Sequence, residues 1–288
     1  MKLIRRLFGI IFSLVVVCAI TLVAGYFIIK NAYGIDLLNS YNQLKVLNEE
    51  VDETKLITNP YSNDDLISMK ETINSKTNGF ISTDDNGKVI INFDKLNLFN
   101  SNIELTDRQV AAYANEAIRQ EMDNKIEVGD YTFNLELKQI DFSDIKDNGD
   151  TLFNVIIKLD LSSLEPTLKK FPYSLIKNYI PNYLYISSNV NVNKTEEPFK
   201  YELVSNYLTL NNVDKEGSKE LVNALDKIFK IGNYDNLNIK ITNEVLLNLI
   251  GDDEHNGLAY SLKKAGAKDY TFKTINNEDY FVIKTLLG

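Results

Sequence analysis

His255 is the only histidine in this chain, and it closes an acidic run, Asp252-Asp253-Glu254-His255, set between Gly251 and Gly257. Carboxylates and an imidazole are residue types that hold divalent cations or pass protons. Consecutive carboxylates rarely converge on one ion, however, and the D-x-D-x-D-G spacing of a calcium loop is absent. Asp141, Asp144, Asp147 and Asp150 are spaced by three and miss the same pattern. The run at Asp252 reads as an acidic loop, and no metal is expected. Cys18, the only cysteine, lies in an apolar stretch near the N-terminus. Downstream of it there is no thiolate nucleophile, no disulfide and no zinc set of the usual kind. Ser174-Leu175-Ile176-Lys177 and Ser261-Leu262-Lys263-Lys264 both match S-x-x-K, but the accompanying S-D-N and K-T-G elements are missing. No G-x-G-x-x-G or Walker loop occurs, so no cofactor is expected. No catalytic residue is assigned. The expectation is a non-enzymatic protein, with a carboxylate-dependent cell-wall hydrolase as the alternative. Arg108 and Arg119 are the only arginines after Arg6. Eleven residues apart on one helix, they read either as an anion clamp or, more ordinarily, as a solvated face paired to acidic neighbours.

The element that decides where such chemistry could operate is Leu7 to Ile29, an uncharged apolar run. A helix of this length reaches roughly 35 Å, enough to cross a hydrocarbon core of about 30 Å. Lys2, Arg5 and Arg6 precede it, and cytoplasmic flanks are the basic ones. The reading is a single-pass anchor in the lipid bilayer, with a cytoplasmic N-terminus and an extracellular remainder in the cell envelope. The run exceeds the roughly 7–15 apolar residues of a signal peptide, and Val17 stands where a lipoprotein would need a small residue before Cys18.

The chain carries 31 Lys and Arg against 40 Asp and Glu, a formal charge of −9. Lys2, Arg5 and Arg6 lie before the apolar run, so the remainder is more acidic still. Nucleic acid is excluded as a partner, because phosphate neutralisation needs clustered Lys and Arg.

Pattern divides the rest into a helical stalk or linker at 30–78, a main α+β unit at 79–230, and a helix pair with a hairpin at 231–288. Tyr41, Leu44, Leu47 and Val51 recur at helical spacing. Asn63 reads as an N-cap with Asp64 and Asp65 in the first turn. Gly79 to Phe93 reads as a hairpin around Asp84-Asp85-Asn86-Gly87. Thr106 to Met122 is the clearest helix, with Thr106 and Gln109 as its capping box. Asn115 and Glu116 are placed on its solvated face.

Four long strands follow. Tyr131, Phe133, Leu135 and Leu137 alternate, then Ile140 and Phe142 fall on the opposite parity, which predicts a bulge. Phe153, Val155, Ile157, Leu159 and Leu161 form the second apolar face. Leu184, Ile186, Val190 and Val192 form the third, with Asn189, Asn191 and Asn193 outward. Tyr201, Leu203 and Tyr207, then Leu208 and Leu210 after another parity switch, form the fourth. The expected fold is a long, curved antiparallel sheet, covered on one face by helices at Thr106–Met122 and Ser218–Lys230 and by the aromatic segment Phe171–Tyr185. Leu221, Leu225, Ile228 and Phe229 are the apolar stripe of the second. Beyond Gly232 come an apolar run from Leu237 to Ile241, a helix from Asn243 to Ile250, another from Leu258 to Ala265, and a hairpin turning at Asn276-Asn277.

Incomplete cover would leave a groove lined by Phe133, Phe153, Ile157, Leu184 and Ile186. Such a groove suits an acyl chain, and these five are the candidate ligand-binding residues. An envelope protein is the other partner expected.

Three features together resemble the YpmS-like single-pass membrane proteins of Gram-positive bacteria. They are the anchor, the helix entered at Leu105-Thr106-Asp107, and paired strands with Ile180-Pro181 leading into the third. The similarity spans Glu104 to Phe229 and implies a tethered ectodomain without naming an activity. A long curved sheet clasping a helix is also similar to tubular lipid-binding folds, which implies an apolar ligand.

Overall fold

The computed structural model describes residues 37–84, 89–92, 101–128, 131–169, 180–229 and 233–285. The anchor at 7–29 lies outside these, as do 170–179 of the aromatic segment and the side chains of Leu225, Ile228 and Phe229. Among the described residues no helix is long and apolar enough to cross a membrane.

In chain order the elements are α1 (Leu37–Leu47), α2 (Glu53–Leu56), α3 (Asn63–Lys76), β1 (Ile81–Thr83), β2 (Val89–Ile91), β3 (Ile103–Thr106), α4 (Asp107–Met122), β4 (Lys125–Val128), β5 (Tyr131–Ser143) and β6 (Thr151–Asp160). The single-turn α5 (Glu165–Leu168) follows, then β7 (Tyr183–Lys194), β8 (Tyr201–Leu210), α6 (Lys215–Phe229), α7 (Tyr234–Leu249), α8 (Leu258–Lys263), β9 (Asp269–Ile275) and β10 (Glu278–Lys284). The fold is α+β, and its sheets are antiparallel.

The main sheet runs β4-β5-β6-β7-β8. Both parity switches are register shifts: one between Leu137 and Gln139, the other between Asn189 and Val190 opposite β8. α4 lies on β5, and α7 lies on β7 and β8. The alanines of α4, Ala111, Ala112 and Ala114, are buried and allow its close approach. The capping box at Thr106 and Gln109 forms, with reciprocal bonds of 3.3 and 3.0 Å.

Several expectations change. The N-cap of α3 is Ser62, which with Asp65 makes a capping box of its own. Ser62 sits one residue earlier because its hydroxyl reaches the Asp65 N–H and leaves Asn63 helical. The run Leu237–Ile241 and the helix after it form one helix, α7, since Leu237, Ile241 and Val245 continue a single buried stripe. Residues assigned to the stalk join the core: Leu44, Leu47, Met69 and Ile73 are buried with the strand residues. Asn189 lies on the face away from the helices, as its alternation indicates, yet it is buried there, for a reason given below.

The C-terminal hairpin turns at Asn276-Asn277, both in the left-handed region. It does not extend the main sheet. With Leu105 and its neighbours it forms a second sheet, ordered β3-β10-β9. An aromatic cluster fuses the two sheets: Phe142 meets Phe153 at 5.3 Å and Phe272 at 4.9 Å, and Phe272 meets Phe281 at 5.5 Å. Gly149, between β5 and β6, has φ +89°, and a Cβ there would stand 2.4 Å from the Thr271 hydroxyl. Only glycine fits where that turn meets β9.

On the helix-covered face a polar network sits at the second register shift. Asn238 of α7 donates to the Asn189 carbonyl (2.9 Å) and the Ser205 hydroxyl (2.9 Å), and accepts from Ser188. A bulge leaves ladder groups unpaired, and here a helix side chain takes one up. The Asn189 side chain, on the opposite face, is spent on Asn154 and Asn206.

Candidate functional site

The opposite face of the main sheet is not bare. Residues 48–61, a strap between α1 and α3, cross it over β5, β6 and β7 and touch it at two anchoring points.

The first is Glu53. Asp52 accepts from the Thr54 N–H (3.1 Å) and caps the single turn of α2. Glu53, next to that cap, meets Lys158 Nζ at 2.6 Å and Lys138 Nζ at 3.8 Å, and accepts from the Tyr185 hydroxyl. Lys158 and Tyr185 are register partners on β6 and β7. The Lys158 ammonium, then the Tyr185 hydroxyl, hold the Glu53 carboxyl below its ordinary range. Burial opposes the charge on Lys158, but Glu53 and Tyr185 together outweigh it and raise the ammonium above its usual value. Lys158 Nζ also lies 4.3 Å from the Tyr183 ring centre and 5.2 Å from that of Tyr185.

The second point is Asn59 with Tyr61. Tyr61 donates to the Leu137 carbonyl (2.6 Å), on a stretch of β5 that β4 does not reach. The Asn59 N–H donates to Gln139 Oε1 (3.1 Å), and its side-chain amide donates to Asp107 (2.7 Å) and Asp141 (3.4 Å). The first bulge makes this possible. It presents Lys138 and Gln139 successively on one face, one for each anchoring point. Asp107 and Asp141 both converge on the Asn59 amide, and burial first, then the neighbouring Asp141 carboxyl, push Asp107 up to about 6.

The start of the strap is tied by Asn211 and Asn212, just past β8. Asn211 donates to the Leu47 carbonyl (2.6 Å) and accepts from the Tyr185 N–H (2.7 Å). Asn212 donates to the carbonyls of Glu49 (3.3 Å) and Glu50 (3.1 Å).

Between these ties the strap is undercut. A cleft of about 950 Å³ lies between residues 48–53 and the segment 180–183, with Lys158, Tyr185 and Asn211 in its wall. A smaller one, about 300 Å³, lies between the two anchoring points. Glu53 lines both. The larger cleft is lined mainly by polar and charged groups, and Tyr183 in it is 46% exposed.

The residues singled out from sequence lie elsewhere. Phe133, Phe153, Ile157, Leu184 and Ile186 come together, each 5% exposed or less, within the hydrophobic core. A ligand reaching them would have to displace packed helix. In the acidic loop, Asp252 accepts from the N–H groups of Glu254 and His255 and lies 2.9 Å from His255 Nδ1, while Asp253 accepts from Tyr260 (2.8 Å). The carboxylates diverge, and among the described residues no group of three or more His, Cys, Asp or Glu is placed to hold a metal. Arg119 is bonded to Glu116, which is buried rather than solvated, and Arg108 lies 3.6 Å from Asp65. Asn115 accepts from the Leu137 N–H (3.2 Å). Ser261 is buried in α8, whereas Lys264 is exposed; Ser174 and Lys177 lie outside the described residues.

No family model matches the chain, and comparison with curated proteins and with solved structures gives no match.

Proposed function

We propose that the chain is a membrane-tethered, extracytoplasmic, non-enzymatic binding protein of a bacterial cell envelope, and that its ligand occupies the strap cleft. The observation that carries this reading is the 950 Å³ cleft itself, polar in its lining and carrying a half-exposed Tyr183. A wall glycan suits it better than an acyl chain. Hydroxyls find partners among Asn and carboxylate groups, and a sugar face can lie on an aromatic ring. The tether is the apolar run Leu7–Ile29, with the basic flank inside.

The hydrolase alternative has less support. Asp107 and Asp141 are both spent on the Asn59 amide, at 2.7 and 3.4 Å, rather than facing an open substrate site. They also line neither cleft beneath the strap.

The test is equilibrium binding of the detergent-solubilised full chain to soluble wall-glycan fragments. Saturable binding that is lost in Tyr183→Ala is expected. Absence of binding, with host lipid co-purifying instead, returns the ligand to the apolar core; glycan turnover returns the hydrolase.

A further inference from the structure

Taking the strap cleft as the binding site, we infer that it selects its glycan by charge: the sugars it holds carry free ammonium groups in place of N-acetyl groups, and Glu49 and Glu50 read them. Two walls face each other across the cleft. The strap wall supplies Glu49, Glu50, Asp52 and Glu53, four carboxylates in five residues. The facing wall, Ile180 to Tyr183, carries no charge. Among the described residues Lys158 is the one cation in the lining, so carboxylates outnumber ammonium groups by three.

Two of the four carboxylates are already committed. Glu53 meets Lys158 Nζ at 2.6 Å. Asp52 accepts from the N–H and the hydroxyl of Thr54 (3.1 and 2.6 Å) and pairs with Lys55 at 3.1 Å. Glu49 and Glu50 are exposed, and among the described residues neither forms an ion pair. Their backbone is fixed all the same. Asn212 donates to both carbonyls, at 3.3 and 3.1 Å, so the segment that carries the two free carboxylates is tied to the end of β8.

A neutral sugar would cover these carboxylates without answering their charge, and a desolvated charge without a partner is costly. An ammonium group answers it. The cleft already holds one such group of its own: Lys158 Nζ lies 2.6 Å from the Glu53 carboxylate and 4.3 Å from the Tyr183 ring centre. Carboxylate and aromatic ring are the two partners an ammonium takes in a polar site. Tyr183 remains 46% exposed, so ring surface is left for a ligand. The walls of a cleft also focus the field of the unpaired carboxylates into it. A single metal ion is the poorer occupant. Among the described residues no three of His, Cys, Asp or Glu are placed to hold one, so the charge is spread along the wall. Spread charge suits a chain of amino sugars, which carries one ammonium on each ring.

Three probes test this on the detergent-solubilised full chain: a β-linked glucosamine tetramer, its fully N-acetylated counterpart and trilysine. Titration at about pH 6 keeps the amines protonated. The glucosamine tetramer should bind at least about tenfold tighter than the acetylated one, and the preference should shrink with added salt. Glu49→Gln/Glu50→Gln should abolish the preference. Asp64→Asn/Glu254→Gln removes as much charge from exposed sites outside the cleft and should keep it. Equal affinity for the two tetramers overturns the inference and leaves glycan binding standing. A preference that survives Glu49→Gln/Glu50→Gln overturns it too, as does one lost equally in both double variants, which would assign it to net charge. Binding of trilysine alone, lost in Glu49→Gln/Glu50→Gln, keeps the ammonium selectivity and removes the sugar. No binding of any probe removes both.

Discussion

The two faces of the main sheet are held by different physics. The helix-covered face buries Phe153, Ile157, Leu184 and Ile186 in one core with α4 and α7. Contacts there are numerous, non-directional and insensitive to pH. The strap-covered face is held by a few directional groups: Glu53 to Lys158, Asn59 to the two aspartates, Tyr61 to a carbonyl. Such contacts exchange for water at little net gain, about 0.5–1.5 kcal/mol for a typical hydrogen bond. The first face sets global stability. The second should open at lower cost than global unfolding, which hydrogen exchange of its amides would show.

The largest effect should come from the core. Phe153→Ala removes a ring that touches Phe142 and Phe272 where the two sheets join, and should cost about 3–5 kcal/mol in denaturant unfolding. Ile157→Ala should cost about 2–5 kcal/mol. A much smaller loss at Ile157, together with reduced lipid uptake, would mean that this face is a groove wall, and the contrast between the faces would fail. Next comes Asn238→Leu. It strands the buried Asn189 carbonyl, while Ser188 keeps Thr242 and Ser205 keeps Asp235, and should cost about 1–3 kcal/mol. A neutral outcome would show that water replaces the amide there.

The sequence discloses these two faces unequally. Period-two alternation marks Phe153, Val155, Ile157 and Leu159 because a strand buried on one face must alternate, and a change of parity at Leu137–Ile140 has no cheap explanation other than a bulge. The capping box at Thr106 is readable because both partners lie three residues apart. The strap is not readable in this way. Asn59 meets Gln139 and Asp141 across some eighty residues, and Glu53 meets Lys158 across more than a hundred. Nothing local distinguishes these side chains from solvated ones, so an Asn-Pro break and an acidic stretch look like linker. The one usable trace was Gln139, a polar residue at the bulge. Asn189 faces outward yet is buried for the related reason that its cross-strand asparagines, Asn154 and Asn206, cover it, and nothing local reveals them.

A smaller effect belongs to the cap. Thr106→Ala leaves the Gln109 N–H without its hydroxyl partner and should cost about 1 kcal/mol in the same unfolding measurement. Thr106→Ser should restore most of it, since the hydroxyl and not the methyl makes the bond. A loss in both variants alike would assign the cost to packing.

The smallest effect on stability should come from Glu53→Gln, and it is the most informative about the strap. The Glu53 side chain is 40% exposed, so water screens its pairing with Lys158, and the loss should stay within about 1 kcal/mol. The pH dependence has a definite sign. The folded protein holds Glu53 below its ordinary 4.5, so this contact stabilises above that value and its contribution is lost as pH falls through the lowered midpoint. Asp107 runs the other way: its midpoint is raised, so the folded chain binds the extra proton between about 4 and 6, and stability declines as pH rises through that window. Glu53→Gln should therefore flatten the acid limb of the stability–pH profile and leave the decline toward about pH 6 intact. Asp141→Asn should weaken the decline toward about pH 6, leaving the part caused by burial, and keep the acid limb intact. If Glu53→Gln abolished both limbs, the strap would have one anchoring point rather than two, and the independence of its ends would be lost.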